Sequence, residues 1–147
     1  MIQSFHGEFR WLSNFYPSPV YWAGVLYPTV EHAYQAAKST DENERALIAM
    51  VESPRKAKKL GREIKHLDPK WELSKVDIMR SLLTNKFSHE PLRSMLLGTA
   101  DEESWLRATP GVILSGVCVM VWCGKNYLGR LLMAVRHHLR TGHWRSL

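Results

Sequence analysis

Glu31, Tyr34, Gln35 and Lys38 set an acid, a phenol, an amide and an amine at helical spacing. Pro28 punctuates the chain and Thr29 is a good N-cap, so a helix is expected from Val30 to about Ser39. On such a helix Glu31 and Lys38 stand nearly two turns apart, at about 3.6 residues per turn, and leave the same face. Tyr34 and Gln35 lie between them, close to the same stripe. Buried charge is costly unless it is paired, so this stripe is either a solvated face or a site. As a site it offers a carboxyl for general acid or base work. It also offers an amine that burial would make nucleophilic toward an aldehyde-like carbon.

Other chemistries find less support. The seven histidines show no HExxH spacing, and His137 and His138 are adjacent and so point to different sides of a helix; no catalytic metal is expected. There is no GxGxxG after a strand and no Walker loop, and no cofactor is expected. Cys118 and Cys123 cannot build a disulfide framework, which suits a reducing compartment. The six tryptophans could stack on a base, although Trp is also a large core residue.

The 147 residues, 45% hydrophobic and 23% charged, suit one domain with a real core and argue against disorder. A net charge of +6, with many cations in the run Arg55 to Arg62, favours an anionic partner such as nucleic acid or a phosphorylated small molecule. A plain nucleic-acid binder would show affinity that falls steeply with salt. The first residues lack the basic start and apolar core of a signal peptide. No apolar run reaches the about 20 residues needed to span a bilayer, so a cytoplasmic protein without a membrane partner is expected.

Hydrophobic periodicity and turn residues place the stripe among several short elements. In PVYWAGVLYP, Ala23 and Gly24 separate two short runs, a hairpin signal. Thr40 or Asp41 can cap a second helix with Leu47, Ile48 and Val51 at helical spacing. Ser53 and Pro54 start a third that ends near Gly61. Asp68 and Pro69 open a longer one with Leu73, Val76, Met79, Leu83 and Phe87 on one face. Pro91 begins a short helix to about Leu97. Asn126 can cap a last one with Leu128, Leu131, Leu132 and Val135 inward, followed by a polar, frayed tail from His137.

WLSNFYPSPV, GVLYPTVEHAYQAAK, SPRKAKKLGR, Trp71, MRSLLTNKF and GKNYLGRLLMAVR resemble, in order and spacing, the NADAR (YbiA-like) family from about Phe9 to Arg136. The resemblance implies an α+β fold: a compact, predominantly helical single domain over residues 1–147, its core at about 9–139, with a small β-hairpin or sheet. It also implies an N-glycosidase acting on a phosphorylated ribosyl substrate. That substrate would be either a phosphoribosylamino-pyrimidine intermediate of riboflavin synthesis or ADP-ribosylated guanine in nucleic acid. Carried over by motif, Glu31 and Lys38 are the catalytic candidates; Asn14, Tyr34, Gly61, Arg62, Trp71 and Asn126 are candidates for lining the substrate site. A carboxylate stabilising an oxocarbenium-like state fits that chemistry, and capture of the opened sugar by Lys38 as a Schiff base fits equally. A non-catalytic module binding ADP-ribose or a nucleotide is the alternative.

One stretch departs from the family. Where its pattern resembles LVEGNTWGDTFWGVCDGVG, this chain has SWLRATPGVILSGVCVMVWCG from Ser104. A permitted codon set for Ser104 to Trp122, read from its third base, translates as LVEGNTWGDTFWGVCDGV, so Ser104 to about Cys123 reads as the family loop in a shifted frame, restored before Lys125. As written, the loop's Glu, two Trp and Asp residues give way to Leu106, Pro110, Val112 and Ser115 or close neighbours. Catalysis that needs those groups is then expected to be impaired, since each positioned acid or base contributes roughly 10²–10⁴-fold. The run itself would pack as a buried strand or expose an aggregation-prone segment.

Overall fold

A computed structural model describes residues 7–99, 121–122 and 125–145. The segment Ser104–Met120, with its departure from the family pattern, lies outside the described residues, as does Cys123. Two units are distinguished. One is Asn14–Lys86; the other joins residues up to Ser13 with those from Phe87 onward.

In the first unit, β1 (Val20–Trp22) and β2 (Val25–Tyr27) form the expected antiparallel hairpin, with Val20 opposite Tyr27 and Trp22 opposite Val25. Its two-residue turn places Ala23 and Gly24 at φ +47° and +79°, the left-handed pair that matches the twist of the strands. Val20 and Tyr27 face inward, while Tyr21, Val25 and Leu26 are exposed.

Helix α1 (Val30–Ala36) begins as expected, but it ends three residues before Ser39. The Thr29 hydroxyl accepts from the His32 N–H at 3.3 Å, and the Asn14 carbonyl accepts from the Glu31 N–H at 3.1 Å. Two of the first-turn donors are thereby satisfied. Lys38 lies just beyond the helix, in the following turn.

Helix α2 (Glu42–Met50) is capped by Asp41, whose side chain accepts from the Asn43 N–H. Of its three expected inward residues, Ile48 is buried, Leu47 is 56% exposed and Val51 is already past the last turn. Helix α3 (Pro54–Arg62) starts with Ser53 as N-cap and Pro54 in the first turn. Helix α4 (Trp71–Phe87) buries Met79, Leu82, Leu83 and Phe87. Each such side chain contributes about 1.5–3 kcal/mol on burial. Leu73, expected on that face, is 84% exposed, because the first turn of α4 buries Trp71 instead.

In the second unit, α5 (Leu92–Leu97) follows Pro91, and β3 (Val121–Trp122) pairs with β4 (Lys125–Asn126). Asn126 directly precedes α6 (Tyr127–Thr141), which buries Leu128, Leu131, Leu132 and Val135 as its spacing demands. Arginines of α6 satisfy carbonyls at the end of α5: Arg140 donates to Leu97 O at 2.7 Å, and Arg136 to Thr99 O at 3.2 Å. The chain from His137 is not the frayed tail its polarity suggests. Helix α6 continues to Thr141, and the His138 ring stacks on Trp144 at 4.1 Å. Among the described residues no helix is long and apolar enough to cross a membrane.

Candidate active site

The stripe of Glu31, Tyr34, Gln35 and Lys38 is inward-facing. Glu31, Tyr34 and Gln35 are buried, Glu31 with 4% of its surface exposed, and Lys38 is half-buried. Gln35 lies one turn beyond Glu31, and its Nε2 donates to Glu31 Oε1 at 2.7 Å. Desolvation pushes the Glu31 carboxyl above its ordinary 4.5, opposed by that hydrogen bond and by the charges of Lys58, Lys38 and Arg62.

Lys38 reaches the site by a different route from the one its spacing suggests. Because α1 stops at Ala36, the position of Lys38 is set by the next loop. Its carbonyl accepts from the Asp68 N–H at 2.7 Å, and the Asp68 carbonyl in turn accepts from the Trp71 N–H at 2.9 Å. Ser39 bridges Leu67 across the same strand-like contact. Glu44 fastens the other side of the loop: its carboxylate accepts from the Ser39 hydroxyl and from the Lys65 and His66 N–H groups, and is held down to about 2. The result sets the Lys38 ammonium 5.8 Å from the Tyr34 ring centroid and 5.9 Å from that of Trp71. The two rings meet each other at 4.9 Å, tilted by 60°. Cation–π attraction and the rings' bulk thus orient the amine.

Gly61 and Arg62 come to the site on α3, which packs against α1. Gly61 is buried, and a Cβ there would run into Gln35 Oε1 and stand 2.7 Å from its Cδ. Its place is therefore behind the Gln35 amide, supporting Glu31, rather than along an open wall. Arg62 is exposed, within electrostatic reach of Glu31.

Asn14 supports Glu31 through its backbone, as described, and its Nδ2 points to Met79 Sδ at 3.7 Å. Its Oδ1 and that of the Gln35 amide, Oε1, are buried acceptors with no hydrogen-bond partner among the described residues. Glu31, Lys38, Tyr34, Trp71, Gly61, Arg62 and Asn14 thus belong to one unit. Asn126 lies in the other, at the end of β4. The groups that the resemblance assigns to residues 104–120 lie outside the described residues.

Two contributors lay in stretches the sequence singled out but carried no site role there. Gln35 had the signal of an i, i+4 partner for Glu31, and Lys58 that of an i, i−4 neighbour of Arg62. His32, adjacent to Glu31, is structural. Its Nε2 meets Val51 O at 3.1 Å and its Nδ1 meets the Thr29 hydroxyl at 2.8 Å, and burial lowers its pKa. Since the Val51 carbonyl can only accept, the neutral ring carries its proton on Nε2, and Nδ1 accepts from the Thr29 hydroxyl. Among the described residues no cluster of histidine, cysteine or carboxylate side chains could hold a metal ion.

Known proteins resemble this chain in sequence and in fold. The N-glycosidase YbiA of Escherichia coli is 37% identical over 145 residues, covering 91% of this chain and 82% of that protein. Its NMR structure superimposes with a TM-score of 0.72 at 34% identity, over 95% of this chain and 83% of that one. An N-glycosidase of Nostoc punctiforme is 35% identical over 134 residues, 88% of this chain and 85% of its own length. A riboflavin biosynthesis protein of Vibrio vulnificus is 34% identical over 135 residues, 88% of this chain but 35% of that longer protein. Residues 3–140 match the family model described as the NADAR domain, and the chain belongs to that family.

Proposed function

We propose that the chain is an N-glycosidase that hydrolyses the bond between a ribosyl anomeric carbon and a nitrogen in a phosphorylated substrate, with Glu31 as the acid. The observation that carries this is the Glu31 carboxyl itself: buried, held at one oxygen by Gln35, and kept neutral to higher pH than an ordinary carboxyl. Such a group carries a proton to the leaving nitrogen in the transition state. As the bond stretches, positive charge develops on the anomeric carbon, and the carboxylate left behind stabilises it in a desolvated setting. The buried Asn14 Oδ1 is an acceptor for a substrate hydroxyl or N–H. The faces of Tyr34 and Trp71 suit a sugar or base ring.

Lys38 supports a second, covalent route. It stands beside both rings and within electrostatic reach of Glu31. Its amine would attack the anomeric carbon of the opened sugar, lose water or the base to give a Schiff base, and be released by hydrolysis. Borohydride trapping tests the route: a stable sugar adduct on Lys38 establishes it, and turnover without one leaves water as the nucleophile.

The Vibrio relative is named for riboflavin biosynthesis, which supports a phosphoribosylamino-pyrimidine intermediate as the substrate; ADP-ribosylated guanine presents the same bond, and a cytoplasmic setting suits either. The test offers both substrates and follows release of free base and sugar phosphate by chromatography. Turnover is expected to fall by roughly 10²–10⁴-fold in E31Q. Saturable binding with no release would replace the enzyme by a binding module, and unchanged turnover in E31Q would remove Glu31 from the mechanism.

A further inference from the structure

Lys38 carries its amine from a short connection, residues 38–40, between the C-cap of α1 and the N-cap of α2. Outside a helix, hydrogen bonds must place such a backbone. One set comes from the segment that leads into α4: besides the bond from Asp68, the Thr40 N–H and hydroxyl donate to the His66 carbonyl at 2.9 and 3.2 Å. The other set comes from the start of α2 and converges on Ser39, which is fully buried. Arg45 Nε donates to the Ser39 carbonyl at 2.7 Å, and Glu44 accepts from the Ser39 hydroxyl.

Glu44 is turned away from the work its position suggests. Asp41 is the N-cap of α2 and Glu44 stands at N3, the spacing of a capping box, in which the N3 carboxylate accepts from the N-cap N–H. Here the Asp41 N–H donates to Ser39 Oγ at 3.0 Å instead. The carboxylate reaches past the helix to the other segment, where Oε1 accepts from the Lys65 N–H at 2.9 Å and Oε2 from the His66 N–H at 3.4 Å. His66 Nδ1 lies 3.5 Å from Oε1 as well. Glu44, a member of neither segment, therefore bonds to both. One segment carries Lys38 and the other leads into Trp71, whose ring faces the Lys38 ammonium.

We infer that Glu44 is a positioning residue: through the Ser39 hydroxyl on one side and the Lys65 and His66 N–H groups on the other, it sets the Lys38 ammonium over the rings of Tyr34 and Trp71. Its effect on turnover rests on the N-glycosidase reading with Lys38 as the nucleophile, whereas the placement of the amine does not.

The test reads the amine directly. Reductive methylation of the whole chain with ¹³C-formaldehyde labels each lysine Nζ and keeps its charge, and K38R identifies the Lys38 signal by its loss. With two ring centroids 5.8 and 5.9 Å away, that signal should stand apart from those of exposed lysines through the ring currents. In E44Q it is expected to move to the exposed-lysine position, and kcat for base release to fall by roughly 10- to 100-fold with less change in KM. E42Q takes a charge from the same turn at an exposed position, so it reads the helix dipole alone and should leave both as in wild type. If E44Q does not fold, S39A cuts one side of the tie, keeps the carboxylate, and should move the signal in the same direction. An unmoved Lys38 signal in folded E44Q, with only a lower melting temperature, overturns the inference, as does a wild-type signal among those of exposed lysines. Failure of the covalent route shows differently: the signal moves in E44Q while turnover stays full, and the placement stands.

Discussion

Gly61→Ala tests whether the carboxyl of Glu31 depends on the close approach of α3 to α1. The new methyl carbon would collide with Gln35 Oε1 and lie 2.7 Å from Cδ and 2.9 Å from Cβ of the same side chain. All three atoms belong to Gln35, so the strain is relieved only by moving the amide that donates to Glu31. Alanine inside a helix gains about 0.5–1 kcal/mol over glycine. Forcing a methyl into a packed contact costs about 1–3 kcal/mol. The gain offsets only part of that cost, and the melting temperature is expected to fall by a few degrees.

Activity has no such compensation. A hydrogen bond to an ionisable group is worth about 1.5–3 kcal/mol, so losing the Gln35 amide is expected to lower kcat/KM by roughly 10- to 100-fold. Q35A should cause a similar loss, and because both act through one amide, G61A/Q35A should be no worse than Q35A alone. The assay is base release by each of the three variants, with thermal melting as the control. Full activity in G61A, or losses that add in the double variant, would refute the support of Glu31 through Gln35 and return Gly61 to the role of a site wall.

The raised pKa of Glu31 favours the neutral form in the folded chain, so its contribution to stability is complete below the ordinary 4.5 and is lost as pH rises through the folded value. E31Q should therefore melt higher than wild type at neutral pH, with the gap closing in acid; equal melting at every pH would contradict the burial. His32 has the opposite sign: its lowered pKa means stability is complete above 6.5 and falls as pH drops below it. T29V removes both the α1 cap and the proton donated to Nδ1, at a cost of about 1–2 kcal/mol, read by denaturant unfolding. Lys86 is buried over the Tyr16 ring and pushed down to about 7. Stability should rise from pH about 7 toward the ordinary 10.5, and K86M should abolish that rise in thermal melts.

The hairpin, the start of α1, the Ser53–Pro54 start of α3 and the inward leucines of α6 were legible because each rests on local chemistry: a two-residue turn, a capping hydroxyl, a 3.6-residue period. Composition left open whether the Glu31 stripe was solvated, and only packing settles that. Lys38 does lie within electrostatic reach of Glu31, but not through the i, i+7 helical geometry that the spacing implied. The helix that should have carried Lys38 ends at Ala36, and the loop from His66 to Trp71 performs the placement through backbone hydrogen bonds. Such pairings between distant segments have no signature in residue type. Leu73 and Leu47 failed for the same reason, since a helical period shows which residues share a face but not how far along the helix the partner reaches.

The electrostatics of Glu31 then bear on the order of events. Burial raises its pKa, and Lys58, Lys38 and Arg62 each pull it back down. A phosphate on Lys58 and Arg62 would cancel two of those three opposing charges and add a negative one nearby. Substrate binding would therefore raise the pKa of the group that must deliver the proton, and the acid would be most fully protonated when the bond to be broken is in place. The pH profile of kcat/KM reports the free enzyme and that of kcat the complex. Because the acid form is the active one, activity is lost as pH rises through the pKa, and the descending limb of kcat should lie at higher pH than that of kcat/KM. In K58Q/R62Q both limbs should move up and close together, since the opposing charges are already gone in the free enzyme. Coincident limbs in the wild type, measured with a phosphorylated substrate, would show that the cations of α3 and the carboxyl of α1 are not coupled through the ligand.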